Sequence, residues 1–451
     1  MIGLFKKKEQ NVKINLLNSF NWIKNLDKQK LELSNQDIEK RLSQSKLVHK
    51  FLKSGKGKNL LNSIFLEMID IGFPEISSKI ELDLLIEIFS PETLNQIFFN
   101  PSNGFNNSNH SGIFKQTVQI NEKYGYVVAP KGIVLIVGSS NTILPVITSI
   151  ILSYICGNVS VCQLSRLNKG IIKKFIDGIP SDCNNYVHYI NLDHNVPSDE
   201  NILKELLVQV PWNVINVWGG EEANNFYFQN VAKNLNRPKI INMEPLTGIV
   251  IIQRSYLKNN LNQVSKDLSI SISDMGQQLC SSPTEGFIIH DTDDYQIDDS
   301  FFKKLVDYLE ENYIEFTDFE SSYFKLDRML TYAQDKNSKV YNSKKYGNKI
   351  SIIVSNKKSV FSDSDGINHL SIHERRNFLE LINTSNFESL LELIRKINSK
   401  RTHKEIKKVQ TILVFGNKEF NTEILKLAKN IGAYRVIDAN YIFKRHPLEA
   451  L

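Results

Sequence analysis

Between Gly132 and Ser165 the chain carries no charged side chain, and this stretch constrains its fold more than any other. A run of that length raises the question of a membrane-spanning helix, which needs about 20 apolar residues. The interior argues against one: Gly138-Ser139-Ser140-Asn141-Thr142 sets five small or polar residues in the middle, and Pro145 follows. The run therefore reads as strand Ile133–Val137, a loop, and a helix from about Ile143 to Cys156. Pro145 then lies in the first turn, where its missing N–H costs nothing. Apolar segments on both sides of a turn signal are the buried strand and helix of a parallel α/β unit, so no membrane span is expected.

The alternation continues. Short β-rich runs at Val159–Cys162, Val187–Ile190 and Val214–Val217 are separated by helical patterns near 168–177, 198–208 and 221–235. Strand Ile249–Ile252, a helix near 257–275, strand Phe287–His290, helix 300–314, strands Ile350–Val354 and Thr411–Phe415 and helix 419–431 follow. Such alternation specifies an α/β fold with a parallel sheet covered on both faces, and the second series specifies a second α/β domain. Up to about Asn100 the apolar spacing is helical, with start signals at Ser34-x-x-Asp37 and Ser90-Pro91-Glu92, so this portion reads as scaffold. The Asn-rich run from Asn100 to His110 reads as a polar loop, and Gln334 to Asn348 as an exposed loop or hairpin.

Composition narrows the function classes. With 41% hydrophobic and 23% charged residues, and Gly plus Pro at only 21 + 12 = 33 of 451, the chain is globular. Lys plus Arg exceeds Asp plus Glu by 55 − 49 = 6, spread along the chain, so no nucleic-acid partner is expected. The four cysteines, Cys156, Cys162, Cys183 and Cys280, form no CxxC pair and no disulfide spacing, which fits a reducing compartment. Met1 to Lys8 lacks the apolar core of a secretion signal, and the expected location is the cytoplasm.

The densest chemical signal is Ser273-Asp274-Met275-Gly276-Gln277-Gln278-Leu279-Cys280-Ser281-Ser282-Pro283-Thr284, between a predicted helix and a β-run. A cysteine in an amide-rich loop at a sheet edge is either a nucleophile for covalent acyl chemistry or an inert core thiol; residue type alone favours the second, and its polar neighbours reduce that preference. Cys156 and Cys162 sit in apolar runs and read as core; Cys183, beside Asn184-Asn185, reads as a loop residue. Asn141 leaves the C-terminal end of a parallel strand, where it serves either as a donor to a developing oxyanion or as a turn or helix-cap asparagine. Trp218-Gly219-Gly220 joins a strand to a helix, either as a tight turn or as bare N–H groups open to a pyrophosphate, and its spacing is not GxGxxG. His369 and His373 stand one helical turn apart without a third ligand nearby, so no metal site is expected.

In order along the chain, these pieces resemble the aldehyde dehydrogenase superfamily and, within it, the LuxC-type acyl-CoA and acyl-protein reductases known from bacterial luminescence. Pro130-Lys131-Gly132, the strand, Asn141, Gly157-Asn158 and Leu164-Ser165 are similar to the first nucleotide-binding stretch. Trp218-Gly219-Gly220 is similar to the glycine-bearing turn under the cofactor, and Gln277-Gln278-x-Cys280-Ser281-Ser282-Pro283 to the signature around the catalytic cysteine. Val409-Gln410-Thr411 and Gly432-Ala433-Tyr434-Arg435-Val436 resemble the C-terminal blocks, so the likeness spans about residues 120 to 440.

The resemblance implies an aldehyde dehydrogenase-like fold in which residues 1–120 form a helical region packing on the cofactor domain. Residues 121–245 would form a Rossmann-type NADP(H)-binding domain, 246–425 a catalytic α/β domain and 426–451 a tail. It implies that Cys280 attacks an acyl thioester, that Asn141 and the Cys280 N–H stabilise the oxyanion, and that hydride from the nicotinamide releases a fatty aldehyde. Gly138, Ser139, Gln163, Ser165, Arg166, Trp218, Gly219 and Gly220 become the expected cofactor contacts. Gln163 stands where typical members have a ribose-binding lysine, and with no acid there and Arg166 nearby NADPH is expected over NADH. Glu244, 280 − 244 = 36 residues before the cysteine, lies where hydrolytic members keep a general base, though outside their Glu-Leu-Gly-Gly pattern. The expected partners are a fatty acyl-CoA or an acyl-carrying synthetase subunit, and further copies of the chain. The alternatives are an aldehyde dehydrogenase working oxidatively or on short acyl chains, and a non-catalytic subunit that keeps the fold.

Overall fold

The computed structural model describes residues 2–4, 12–14, 16–73, 75–99, 117–119, 125–127, 130–140, 142–165, 167–193, 196–243, 247–273, 277, 281–290, 297, 299–313, 326, 329–330, 332–334, 336, 338–355, 377–384, 386–399, 409–433 and 435–438. The chain divides after Glu244 into two compact units.

The first unit opens with the antiparallel pair β1 (Ile2–Leu4) and β2 (Val12–Ile14). Helices α1 (Leu16–Ser34), α2 (Ile38–Lys53), α3 (Gly55–Asp70), α4 (Glu75–Ile88) and α5 (Pro91–Phe99) follow, then a second antiparallel pair, β3 (Thr117–Gln119) and β4 (Gly125–Val127). After these come β5 (Ile133–Val137), α6 (Leu144–Ile155), β6 (Val159–Gln163), α7 (Lys169–Gly178), β7 (Val187–Ile190), α8 (Pro197–Gln209), β8 (Val214–Trp218), α9 (Glu221–Val231) and β9 (Lys239–Met243). Strands β5 to β9 form one parallel sheet in the order β7-β6-β5-β8-β9. Counted from β5 this is 3-2-1-4-5, so the winding reverses between β5 and β8, and the carboxyl ends of those two strands flank the crevice where such sheets bind ligands.

All five residues of β5 and of β6 are buried, as a sheet covered on both faces requires. Helix α6 is apolar all round and buried along nearly its whole length, with Pro145 in its first turn. Its 12 residues, at about 1.5 Å each, span about 18 Å, far short of a bilayer. Among the described residues no helix is long and apolar enough to cross a membrane. One hydrophobic core takes in Leu26, Val48, Leu52, Ile64, Leu85 and Phe89 from the N-terminal helices together with Ile136, Ile150, Val161, Phe175 and Val217 from the sheet layers. Asp37 caps α2 by accepting from the Glu39 N–H, whereas Ser34, expected to share that start signal, ends α1 and donates back to the Leu31 carbonyl.

The second unit contains β10 (Thr247–Gln253), α10 (Arg254–Ser273), β11 (Pro283–Ile289), α11 (Asp299–Glu311), β12 (Ser338–Ser343), β13 (Gly347–Ser355), β14 (Phe378–Thr384), α12 (Phe387–Ser399), β15 (Val409–Phe415), α13 (Lys418–Ile431) and β16 (Arg435–Asp438). Its sheet has the order β12-β13-β14-β11-β10-β15-β16, parallel throughout except for the β12–β13 hairpin, which occupies much of the Gln334–Asn348 stretch. Apolar layers cover both faces, one including Leu268, Leu305 and Leu381, the other Phe287, Ile394 and Ile424. The expected tail over 426–451 is corrected to this extent: α13 runs on to Ile431 and β16 pairs with β15, so the chain to Asp438 is part of the sheet layer. Gly432 makes this reversal, with φ +70 and its N–H returned to the Ala428 and Lys429 carbonyls, a left-handed helix end that suits glycine. The Asn100–His110 run, His369 and His373 lie outside the described residues.

Candidate active site

At the β5/β8 reversal the loop after β5 is fastened from several sides. The Gly138 N–H donates to the Gln163 carbonyl at 2.8 Å. Asn168, fully buried, donates through Nδ2 to the carbonyls of Ser139 (2.7 Å) and Thr142 (3.2 Å). Ser165, an expected cofactor contact, donates its hydroxyl to Asn168 Oδ1 at 2.7 Å and so holds that amide in place. From α4 the carboxyl group of Glu81 accepts from the Thr142 hydroxyl and, at 3.1 Å, from the Ile143 N–H. That carboxyl sits where α6 has no side-chain cap of its own. It fills the α6 N-terminus with an acidic group and so disfavours a phosphate there.

The start of α9 is uncapped: Gly220 is its N-cap with no side-chain cap hydrogen bond, and among the described residues nothing lies within 4 Å of where a Cβ would stand. Asn224 donates to the Gly219 (2.9 Å) and Gly220 (3.1 Å) carbonyls and fixes the turn. Trp218 is oriented by its indole N–H, which donates to Ser149 on α6 at 3.1 Å. Ser139 Oγ and Asn224 Oδ1 are buried without a hydrogen-bond partner among the described residues. Bare N–H groups at a helix start, with two unmet polar atoms beside the crevice, fit a dinucleotide.

Gln163, at the end of β6, is 5% exposed. It accepts from the Tyr227 hydroxyl of α9 and donates to the Leu192 carbonyl at 3.0 Å, so both ends of its amide are engaged by the protein. Arg166, Asn141, Glu244 and Cys280 lie outside the described residues.

In the second unit the frame of the cysteine loop is described on both sides of Cys280. Gln277 is buried in the left-handed region at φ +64. Its Nε2 donates to the Pro283 (2.8 Å) and Phe378 (2.6 Å) carbonyls, and its Oε1 accepts from the Phe378 N–H at 2.8 Å. One amide thus closes the loop from 277 to 283 and ties it to the first residue of β14. On β10, a Cβ added at Gly248 would stand 2.3 Å from the Ser281 carbonyl oxygen and 2.7 Å from that of Ser282. Only glycine lets β10 approach the backbone that follows the cysteine.

The other three thiols are held protonated. Burial pushes Cys162 and Cys183 well up, and Cys156, partly exposed and opposed by Arg41, up to about 12. Cys183 corrects the loop expectation: it lies in a 3₁₀ turn, Asp182–Tyr186, that turns its thiol into the core while Asn185 faces water. Among the described residues no group of three or more His, Cys, Asp or Glu side chains is placed to hold a metal ion.

The family model for acyl-CoA reductase (LuxC) matches residues 114–442. The chain belongs to that family. No curated protein matches the sequence. Among solved structures, succinic semialdehyde dehydrogenase from Streptococcus pyogenes in complex with NADP+ shares 14% identity at a TM-score of 0.67, over 96% of this chain and 88% of that one. Glyceraldehyde-3-phosphate dehydrogenase GapN from Methanocaldococcus jannaschii, complexed with NADP, gives 16% and 0.64, over 97% and 89%. A NAD-dependent benzaldehyde dehydrogenase from Corynebacterium glutamicum gives 11% and 0.66, over 97% and 90%. These likenesses establish the aldehyde dehydrogenase-like fold.

This LuxC-family chain is accordingly an oxidoreductase acting on an acyl or aldehyde group. Its site-forming residues that sequence reasoning missed are Glu81, Asn168 and Gly248, with Gln277 quoted in the motif but given no role. Asn168 had a local signal, three residues after Ser165; Glu81, 62 residues before Ile143, had none.

Proposed function

We propose that this LuxC-family protein reduces a long-chain fatty acyl thioester, carried by CoA or by a partner synthetase subunit, to the fatty aldehyde with NADPH. Residues 121–245 bind the cofactor and residues 246–425 carry the nucleophile. The observation that supports this reading is the frame around Cys280 in an acyl-CoA reductase (LuxC) family chain: Gln277 braces the backbone before it and Gly248 lets β10 close on the backbone after it.

The Cys280 thiolate attacks the thioester carbonyl, forming its own C–S bond as the bond to the donor sulfur breaks, and the donor leaves as a thiolate that takes a proton from water. Asn141 and the Cys280 N–H hold the oxyanion while it exists. Bound NADPH supplies the hydride that reduces the acyl carbon. The C–S bond to Cys280 then breaks, the aldehyde leaves, and the thiolate is restored. Gly219 and Gly220 offer α9 N–H groups to the diphosphate, Ser139 and Trp218 line the same crevice, and Arg166 pairs with the 2′-phosphate. Gln163 acts as a strut between β6 and α9.

The test is NADPH consumption by the purified chain with a long-chain acyl-CoA, aldehyde assayed alongside, and Cys280→Ser run in parallel. Stoichiometric aldehyde that disappears in the variant supports the reading. NAD(P)+ reduction with an aldehyde, lost in Glu244→Gln, would put the oxidative reaction in its place, and nucleotide binding without turnover of any acyl donor would leave a non-catalytic subunit.

A further inference from the structure

We propose a second ligand site, for a phosphate group, at the carboxyl end of the second unit's sheet, where Arg254 and His290 meet. Arg254 directly follows the last residue of β10, and His290 the last residue of β11. The amino end of β10 is where Gly248 meets the backbone that follows the cysteine. The 7 residues of β10, at about 3.3 Å each, set its two ends about 20 Å apart.

Topology makes this end a place for a ligand. Helix α10, after β10, packs in the layer with Leu305 and Leu381, and α13, after β15, in the layer with Phe287 and Ile394. The chain thus leaves two adjacent strands toward opposite faces, and their carboxyl ends flank the kind of crevice in which α/β sheets bind ligands. Across it Gln253 Oε1, at the end of β10, accepts from the Asn417 N–H at 2.9 Å and fixes the two strand ends.

Arg254 is the second, independent sign. It is 8% exposed, and a charge buried that far costs free energy unless it is paired. Among the described residues no ion pair includes it. Its hydrogen bond there joins Nη1 to His290 Nδ1 at 2.9 Å, while Nε is buried without a partner. A guanidinium is always charged and only donates, so His290 Nδ1 accepts and the ring keeps its proton on Nε2. The partner is then an uncharged ring, and His290, which is exposed, offers a second N–H beside the arginine. Arg41 shows what a structural arginine looks like in this chain: 4% exposed, it donates to the carbonyls of Ile155, Leu33 and Gln36. Arg254 has no such set, and what completes it is an anion. Donors from a guanidinium and a separate imidazole suit the several oxygens of a phosphate better than the two coplanar oxygens of a carboxylate.

The experiment uses the full chain as wild type, Arg254→Gln and Arg254→Met, with inorganic phosphate as the probe and chloride at equal pH and ionic strength as the reference. Two quantities are read: the ring signal of His290 in histidine-labelled protein, assigned with His290→Gln, and hydrogen exchange of the slowest amides in β10 and β11, which open with the second unit. A small anion held by a few charge-assisted bonds binds with a Kd of about 2 mM, so phosphate at about 50 mM is expected to bring the His290 shift to saturation and to slow exchange at least about tenfold. In both variants the shift should vanish and the slowing fall below about twofold, the part that phosphate contributes as a salt. In chloride the variants should exchange no more than about threefold faster than wild type, because the charge they remove has no counter-charge. Acetate at the same concentration should give less than about a third of the phosphate effect. A His290 signal that never saturates or moves equally in Arg254→Gln overturns the proposal, as does acetate matching phosphate. Exchange in chloride more than about threefold faster in both variants overturns it too, by making Arg254 a structural bond. Neither readout needs turnover, so a chain that reduces no acyl thioester still passes or fails this test on its own terms.

Discussion

Replacing Gln277 by alanine removes three hydrogen bonds at once, two given to the Pro283 and Phe378 carbonyls and one taken from the Phe378 N–H. At about 1 kcal/mol net for each, the loss is about 3 kcal/mol, with a buried N–H left unmet. Alanine also inherits the left-handed backbone at φ +64, a conformation costing a non-glycine residue about 1 kcal/mol. Gln277→Gly escapes that strain, so it should be the milder change, at about 2 kcal/mol. The three tryptophans, Trp22, Trp212 and Trp218, all lie in the first unit, so tryptophan fluorescence does not follow this loss. The assay is hydrogen exchange of the slowest amides in β11 and β14, which open with the unit that holds them. Alanine should speed their exchange about a hundredfold and glycine about thirtyfold, at about 1.4 kcal/mol per factor of ten. Exchange within about threefold of wild type in Gln277→Ala, or glycine worse than alanine, would refute the assignment of Gln277 as the brace of the cysteine loop.

Gly248→Ala should lower the stability of the second unit by about 1–3 kcal/mol, read by the same exchange, because its Cβ meets backbone at 2.3 Å; an unchanged rate contradicts the close approach. Under native conditions iodoacetamide should label Cys280 before Cys156, Cys162 or Cys183, whose thiols burial holds protonated, and peptide mass mapping showing comparable early labelling of any of the three counts against this. The same shifts set a pH dependence. Folded pKa values above the unfolded ones mean the unfolded first unit gives up protons sooner, so the contribution is whole below about pH 9 and fades as pH rises toward 12. The urea midpoint followed by tryptophan fluorescence should therefore fall between about pH 8 and 10.5, and a flat or rising midpoint contradicts the burial of these groups.

The parts of the fold legible in sequence were those whose burial is complete. Strands β5 and β6 are five-residue runs buried on both faces, and such runs announce themselves whatever surrounds them. Strand β14 was missed because Glu380, only 2% exposed, interrupts its apolar run, and β9 because Lys239-Ile-Ile-Asn-Met is too short and mixed to stand out. Strand β16 is a sheet edge of four residues whose place is set by pairing with β15, which no local pattern encodes. The site divides along the same line. The Gly219-Gly220 turn and the Gln277–Cys280 motif are local in sequence and were found, whereas Glu81 and Gly248 act on segments 62 and 33 residues away and exist as site residues only once the chain is folded.

The central claim is a covalent acyl group on Cys280 that waits for hydride. It is tested by mass spectrometry of the full chain mixed with a long-chain acyl-CoA without nucleotide, followed by peptide mapping and then addition of NADPH. The account predicts one acyl increment, on the peptide carrying Cys280, that persists until NADPH discharges it as aldehyde. No increment, an increment on another residue, or discharge to the fatty acid before NADPH is added would contradict it.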